Sequence, residues 1–288
     1  MIAASQPRLR RNSQTLTSSW PTRISLVVVV LLLLLVIFGP LLTPHSPTAE
    51  LGPPFARPSS AFPLGTDYAG EDVLSRVLVG GRSVILIGGI ATVIGYLIGG
   101  VIGLVAGYQR GLTDSILMRG MDALLAFPPI IFLLLLATGF GNSLTALTLG
   151  IALIHVPGVA RIVRTAALET SVRGYVEAAL ARGDRVRVIL RREILPNIWG
   201  PIVADGGPRF TVSILLVAAV NFLGLGIAPP NADWALMISE NRSGLTLNPL
   251  SVLVPAFMIA ALTVSLNLLA DQIARAHGSS VDVQAMRR

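Results

Sequence analysis

Between Ser25 and Leu42 the chain runs for 18 residues without a charge, and five further stretches of similar length and apolarity follow. A helix needs about 20 apolar residues to cross the hydrocarbon core of a bilayer. Lipid-exposed backbone is satisfied only in helices or closed barrels. Six such stretches predict an all-α integral membrane protein with six transmembrane helices. The composition agrees, with 53% hydrophobic residues, 13% charged residues and a mean hydropathy of +0.73. In a soluble chain a net charge of +7 would point to nucleic acid. Here all 22 basic residues are arginines lying mainly between the apolar runs, the pattern of the positive-inside rule, so membrane lipid is the expected partner and nucleic acid is not.

The absence of cysteine excludes a disulfide framework and a thiolate metal centre, and no metal site is expected. No GxSxG, HExxH or P-loop is present, so neither hydrolytic chemistry nor ATP binding by this chain is expected.

The first run is longer than the 7 to 15 apolar residues (about) of a cleaved leader, and no small-x-small cleavage site follows it; a retained anchor is predicted. Seven prolines between Pro40 and Pro63 then forbid helix, and this stretch is expected to run extended over the outer surface as a linker. The second span, about 84–108, carries Gly95, Gly99, Gly103 and Gly107 at a strict spacing of four. On a helix these form one stripe that lets another backbone come close, either within the subunit or between subunits. The third span, about 118–140, is interrupted by Pro128 and Pro129, which should kink or break it. Broken helices are tolerated where protein or a water-filled cavity covers the freed carbonyls, which makes these prolines candidates for lining a pathway. The fourth span, about 144–163, contains His155, read as a packing histidine in preference to a proton relay because no second titratable residue accompanies it at helical spacing. In the fifth span, about 198–225, Asp205 and Arg209 stand four apart, the spacing of a helical ion pair facing a cavity. Trp234 is expected to anchor the chain in the headgroup belt. The sixth span covers about 251–269.

One polar interval breaks the late part of the chain. From Arg161 to Pro196 it carries eight arginines, which places it in the cytoplasm. Tyr175 to Arg182 is rich in helix formers, Gly183 suits a left-handed cap, and Asp184 is the expected N-cap of a second helix ended by Pro196. Tyr175, Ala178, Ala179 and Arg182 fall on one face at spacings of three and four, and Glu177 lies in the first turn where the helix dipole favours a carboxylate. That face suits either a partner's groove or the membrane surface. With this loop inside, Arg57, Arg76, Arg82 and Arg242 fall outside, Arg209 falls within a span, and the remaining arginines are cytoplasmic, as are both termini.

Glu177-Ala178-Ala179, then Gly183, Leu195 and Pro196, resembles the EAA loop of the membrane-spanning permeases of ABC importers that use a separate solute-binding protein. Glu193 stands where that pattern has isoleucine. Leu64 to Arg82, LGTDYAGEDVLSRVLVGGR, resembles the segment before the second span in the dipeptide, oligopeptide and nickel permeases, with Glu71 and Gly81 departing from it. Asn221 to Ile238, NFLGLGIAPPNADWALMI, resembles a third motif of that family, with Asn221, Ala232 and Ala235 departing. The resemblance implies a type I ABC importer transmembrane domain whose cytoplasmic coupling helix, with Tyr175, Glu177, Ala178, Ala179, Arg182, Gly183, Leu195 and Pro196, docks on an ATPase.

The expected organisation is a cytoplasmic tail (1–24), an anchor (25–42), an extracytoplasmic segment (43–83), a permease domain (84–274, EAA loop 164–196) and a second cytoplasmic tail (275–288). The expected partners are a second, related permease, two cytoplasmic ATPase domains that bind ATP and Mg, and an extracytoplasmic binding protein; this chain itself needs no cofactor. Di- or oligopeptides are the expected solutes, with nickel chelates an alternative. A secondary transporter using His155, Asp122 or Asp205 for protons, and a purely structural scaffold, are the competing readings. Neither accounts for the EAA resemblance.

Overall fold

The computed structural model describes residues 20–141 and 143–285, with side chains described as far as residue 272. Among the described residues ten α-helices succeed one another: α1 (Trp20–Phe38), α2 (Val73–Gln109), α3 (Gly111–Leu125), α4 (Pro129–Phe140), α5 (Leu144–Ser171), α6 (Gly174–Ala181), α7 (Val186–Ile189), α8 (Trp199–Phe222), α9 (Trp234–Asn241) and α10 (Leu250–Ala285). Five of these, α1 with its trailing turn, α2, α5, α8 and α10, are long and apolar enough to cross a membrane. The sixth crossing is broken: α3 and α4 meet at 77° across Ala126 to Pro128. Pro128 is the N-cap of α4 and Pro129 its first residue, so the missing N–H groups fall where a helix start leaves them unused anyway.

Two spans begin or end beyond the apolar runs. Helix α2 starts at Val73, well before 84, because the Asp72 carboxylate caps it, accepting from the Ser75 N–H at 3.1 Å and its hydroxyl at 2.6 Å. Helix α5 continues past Val163 to Ser171, where Arg161 and Arg164 pair with Asp122 (2.5 Å) and Asp114 (2.5 and 2.6 Å) of α3. These arginines therefore sew α3 to α5. The stretch 275–285, expected as a tail, continues α10, with no proline to stop it.

The centre of the bundle is the pairing of α2 with α5. A methyl group at Gly95, Gly99, Gly103 or Gly107 would stand 3.2, 2.7, 2.5 or 2.6 Å from the carbonyl oxygen of Ala152, Val156, Ala160 or Arg164 respectively. The register is constant, so the two helices run parallel with backbone against backbone, and α3 and α4 form the return between them. This resolves the stripe as packing within the subunit. Helix α1 buries one line, Thr22, Ser25, Val29, Leu32 and Val36, against the neighbouring helices and leaves its other faces outward.

The proline-rich segment folds back on itself, where the proline content predicted an extended linker. Leu51 and Gly52 N–H groups donate to the Gly70 carbonyl, Phe55 N–H to Asp67, and Thr66 N–H to Ala56. The Thr66 hydroxyl donates to Pro53 at 2.6 Å, and Asn248 from the turn before α10 donates to the Leu64 and Thr66 carbonyls. Trp234 is fully buried, so it does not serve as a headgroup anchor. Its ring lies where a Cβ on Gly81 would reach it at 2.5 Å, and its indole N–H donates to the Val77 carbonyl at 2.8 Å.

Candidate functional site

The arginine-rich loop leaves α5 at Ser171 and immediately forms α6. Val176 and Ala179, three apart, are fully buried in a cluster with Val159, Val163, Ile189 and Ile194. Burying both side chains, rather than helix propensity, holds so short a helix in place. Tyr175, Glu177, Ala178 and Arg182 are left exposed. Ala179 therefore belongs to the anchoring face and not to the exposed one with Tyr175, Ala178 and Arg182. The sequence reading also passed over Val176, whose apolar side chain three residues before Ala179 was the available signal.

The helix ends in a Schellman motif. Gly183, at φ +78°, donates its N–H to Leu180 at 2.9 Å, and the Asp184 N–H reaches Ala179 at 3.1 Å. Asp184 does not cap the next helix, as expected from its type; its carboxylate accepts from Arg182 at 2.9 Å, and Arg185 is the N-cap of α7 without a side-chain bond. A π turn, Leu190–Ile194, continues from α7 and leads into a 3-10 turn, Leu195–Asn197, that contains Pro196. The wider π turn brings Ile194 fully into the core and leaves Glu193 outward, 3.9 Å from Arg182. An apolar residue thus still fills the core at this point, one position later than the family pattern has it.

Deeper in the bundle Asp205 and Arg209 do pair. The same Asp205 oxygen accepts the Tyr96 hydroxyl of α2 at 2.5 Å. The guanidinium abuts Gly158 of α5, where a Cβ would meet its nitrogens at 2.6 and 2.7 Å. Pro157-Gly158 and Tyr96, one of two tyrosines in the glycine-rich span, were the missed signals. His155 is buried, its Nε2 2.6 Å from the Ser213 hydroxyl, which lies 2.8 Å from that of Thr92. That satisfied network suits the packing role expected for His155. Pro128 and Pro129 sit exposed at the α3–α4 elbow.

At the end of the bundle opposite the loop, Arg76 is buried among three carboxylates. It contacts Glu71, stands 3.2 Å from Asp67 and donates to Glu240 at 3.1 Å. Tyr68 donates its hydroxyl to Glu240 at 3.3 Å and its N–H to Asn241 at 2.9 Å. Burial raises the Asp67 and Glu240 carboxyls above their usual range, against the opposing pull of the Arg76 charge. Among the described residues no group of acids and histidines is arranged to hold a metal ion.

A parallel glycine-seamed helix pair, a broken span beside it and a short capped helix between two late spans define a multi-pass transport subunit. The chain belongs to the family described as binding-protein-dependent transport system inner membrane component, whose profile matches residues 99–282. The N-terminal transmembrane domain of oligopeptide transport permease C matches residues 14–58. Relatives include the dipeptide transport system permease protein DppC of Alkalihalophilus pseudofirmus, 32% identical over 86% of this chain and 82% of that one. The glutathione transport system permease protein GsiD of Pectobacterium atrosepticum is 35% identical over 74% of this chain and 71% of its own length. The probable D,D-dipeptide permease DdpC of Escherichia coli is 34% identical over 88% and 85%. Among solved structures, a chain of the inward-facing MetNI methionine ABC transporter superposes with a TM-score of 0.57 at 18% identity, covering 71% of this chain and 96% of that chain, which establishes the type I ABC importer fold.

Proposed function

We propose that this chain forms half of the translocation pathway of an ATP-driven importer for di- or oligopeptides and receives its drive through α6. The observation that carries the reading is the two-faced construction of that helix. Val176 and Ala179 lock it to the end of α5, while Tyr175, Glu177, Ala178 and Arg182 are left exposed to a partner. A second, related permease completes the pathway, two cytoplasmic ATPase domains bind ATP and Mg, and an extracytoplasmic binding protein delivers the solute. The arginine-rich end faces the cytoplasm, with both termini on that side. ATPase closure displaces α6, and α5 with its seam to α2 passes the movement to the cavity in an alternating-access cycle. The names of the relatives support peptides as the solute class.

The chain has no cysteine, which makes a direct test simple. A single cysteine introduced as Ala178→Cys should cross-link to the ATPase subunit in the assembled complex, and its yield should change on ATP binding. Cross-linking to no nucleotide-binding partner, in a complex that still imports dipeptide, would refute docking through α6.

A further inference from the structure

The Arg76 cluster has more acid than it has base. One guanidinium meets Asp67, Glu71 and Glu240, and Arg76, Asp67 and Glu71 are all buried, so two carboxylates are in excess if every group is ionised. Like charges confined in a poorly solvated site oppose joint ionisation, and a proton is the smallest species that relieves them. Among the described residues no cation besides Arg76 forms an ion pair with these three carboxylates. Asp72 is engaged with Ser75 and His45, the latter at 3.4 Å, and Asp233 at the N-cap of α9 accepts from Ser83 at 2.5 Å and from two backbone N–H groups. Tyr68 adds a donor but no charge.

The cluster also spans the joint between two parts of the chain. Asp67 and Glu71 belong to the folded segment before α2, Arg76 to the first turn of α2, and Glu240 to the last turn of α9, 164 residues away from Arg76. We propose that Asp67, Glu71 and Glu240 form a shared proton-binding site around Arg76 that clasps α9 to the segment 64–72, and that losing its proton loosens this clasp. One of the excess acids is Glu71, a position at which the chain departs from the motif it resembles. A native site that binds protons more tightly than its opened form is stabilised at low pH and loses that stability as pH rises through its raised affinity. On the orientation proposed above, the clasp faces outward.

Hydrogen–deuterium exchange on the assembled complex in lipid nanodiscs, corrected for the intrinsic pH dependence of amides, reads the clasp directly at 64–76 and 234–241. Between about pH 5 and about pH 8, exchange there should accelerate roughly tenfold for each unit by which proton affinity differs between closed and open forms. Glu71→Gln should flatten that dependence, and Glu240→Gln, which removes another carboxylate at equal volume, should do the same. His45→Gln should leave it intact. Exchange independent of pH in the unsubstituted complex, a dependence that survives both glutamine variants, or one abolished by His45→Gln would each overturn the proposal. The readout requires no transport, so it stands or falls separately from the peptide assignment.

Discussion

The indole N–H of Trp234 donates to the Val77 carbonyl at 2.8 Å, joining α9 to α2 across 157 residues of sequence. The ring fits because Gly81 has no side chain; a Cβ there would stand 2.5 Å from it. Trp234→Phe keeps most of the packing and should cost about 1 kcal/mol for the lost bond. Trp234→Ala should cost about 3 to 5 kcal/mol for the cavity. Thermal unfolding of the purified chain in detergent should rank the two in that order, and Gly81→Val should approach the alanine variant.

The glycine seam makes a sharper prediction because the same helix offers a control. A Cβ at Gly99 meets the Val156 carbonyl at 2.7 Å, while one at Gly100 meets nothing within 4 Å. Gly99→Val should abolish accumulation of folded chain in the membrane. Gly100→Val, with the same gain in bulk, should be tolerated, and quantitative blotting of membrane fractions separates the two.

For the loop, Glu177→Arg should remove uptake and solute-stimulated ATP hydrolysis in a complex that still assembles, since Glu177 is exposed and its side chain makes no hydrogen bond or ion pair among the described residues. Gly183→Val acts differently. It forces a β-branched residue to φ near +78° and should cost about 1 to 2 kcal/mol, loosening α6 and reducing coupling without reversing any charge. Uptake assays alongside ATPase measurements distinguish lost docking from a misplaced helix.

The intramembrane pair yields a further expectation. Tyr96→Phe removes one hydrogen bond to Asp205 and should cost about 1 kcal/mol. Asp205→Leu strands the Arg209 charge and should cost about 3 to 5 kcal/mol. Denaturation midpoints test both. If Asp205 carried protons for an ion-driven cycle, vesicles holding this chain alone would accumulate solute under a pH gradient without ATP; no accumulation is expected.

The crossings were legible in the sequence because each is a local property, a long apolar run that must satisfy its own backbone. The Gly183 cap was legible for the same reason, as was the break at Pro128 and Pro129. What escaped the reading depends on residues distant in sequence. Asp67, Glu71 and Arg76 lie in the motif before the second span, and nothing in that motif points to Glu240, which arrives from α9 to join them. Trp234 resembles an interfacial tryptophan until Gly81 opens a slot for it. Asp184 has the right type for an N-cap, but the neighbouring Arg182 claims its carboxylate. The extra reach of α2 and α5 comes from a cap and from ion pairs, which apolarity alone does not reveal.

Along α2 and α5 little more than the Cβ atoms of His155, Val159, Val163 and Ala167 lies between the helices, because glycine lets one main chain come close to the other. Such a joint has little compliance, and its positions are discrete: to re-seat, it must slide by a full four residues, about 6 Å. Displacements smaller than that carry both helices together. Under the coupling proposed above, a push delivered at the Ser171 end would move α2 and α5 as one beam over the seam from Gly107 to Gly95.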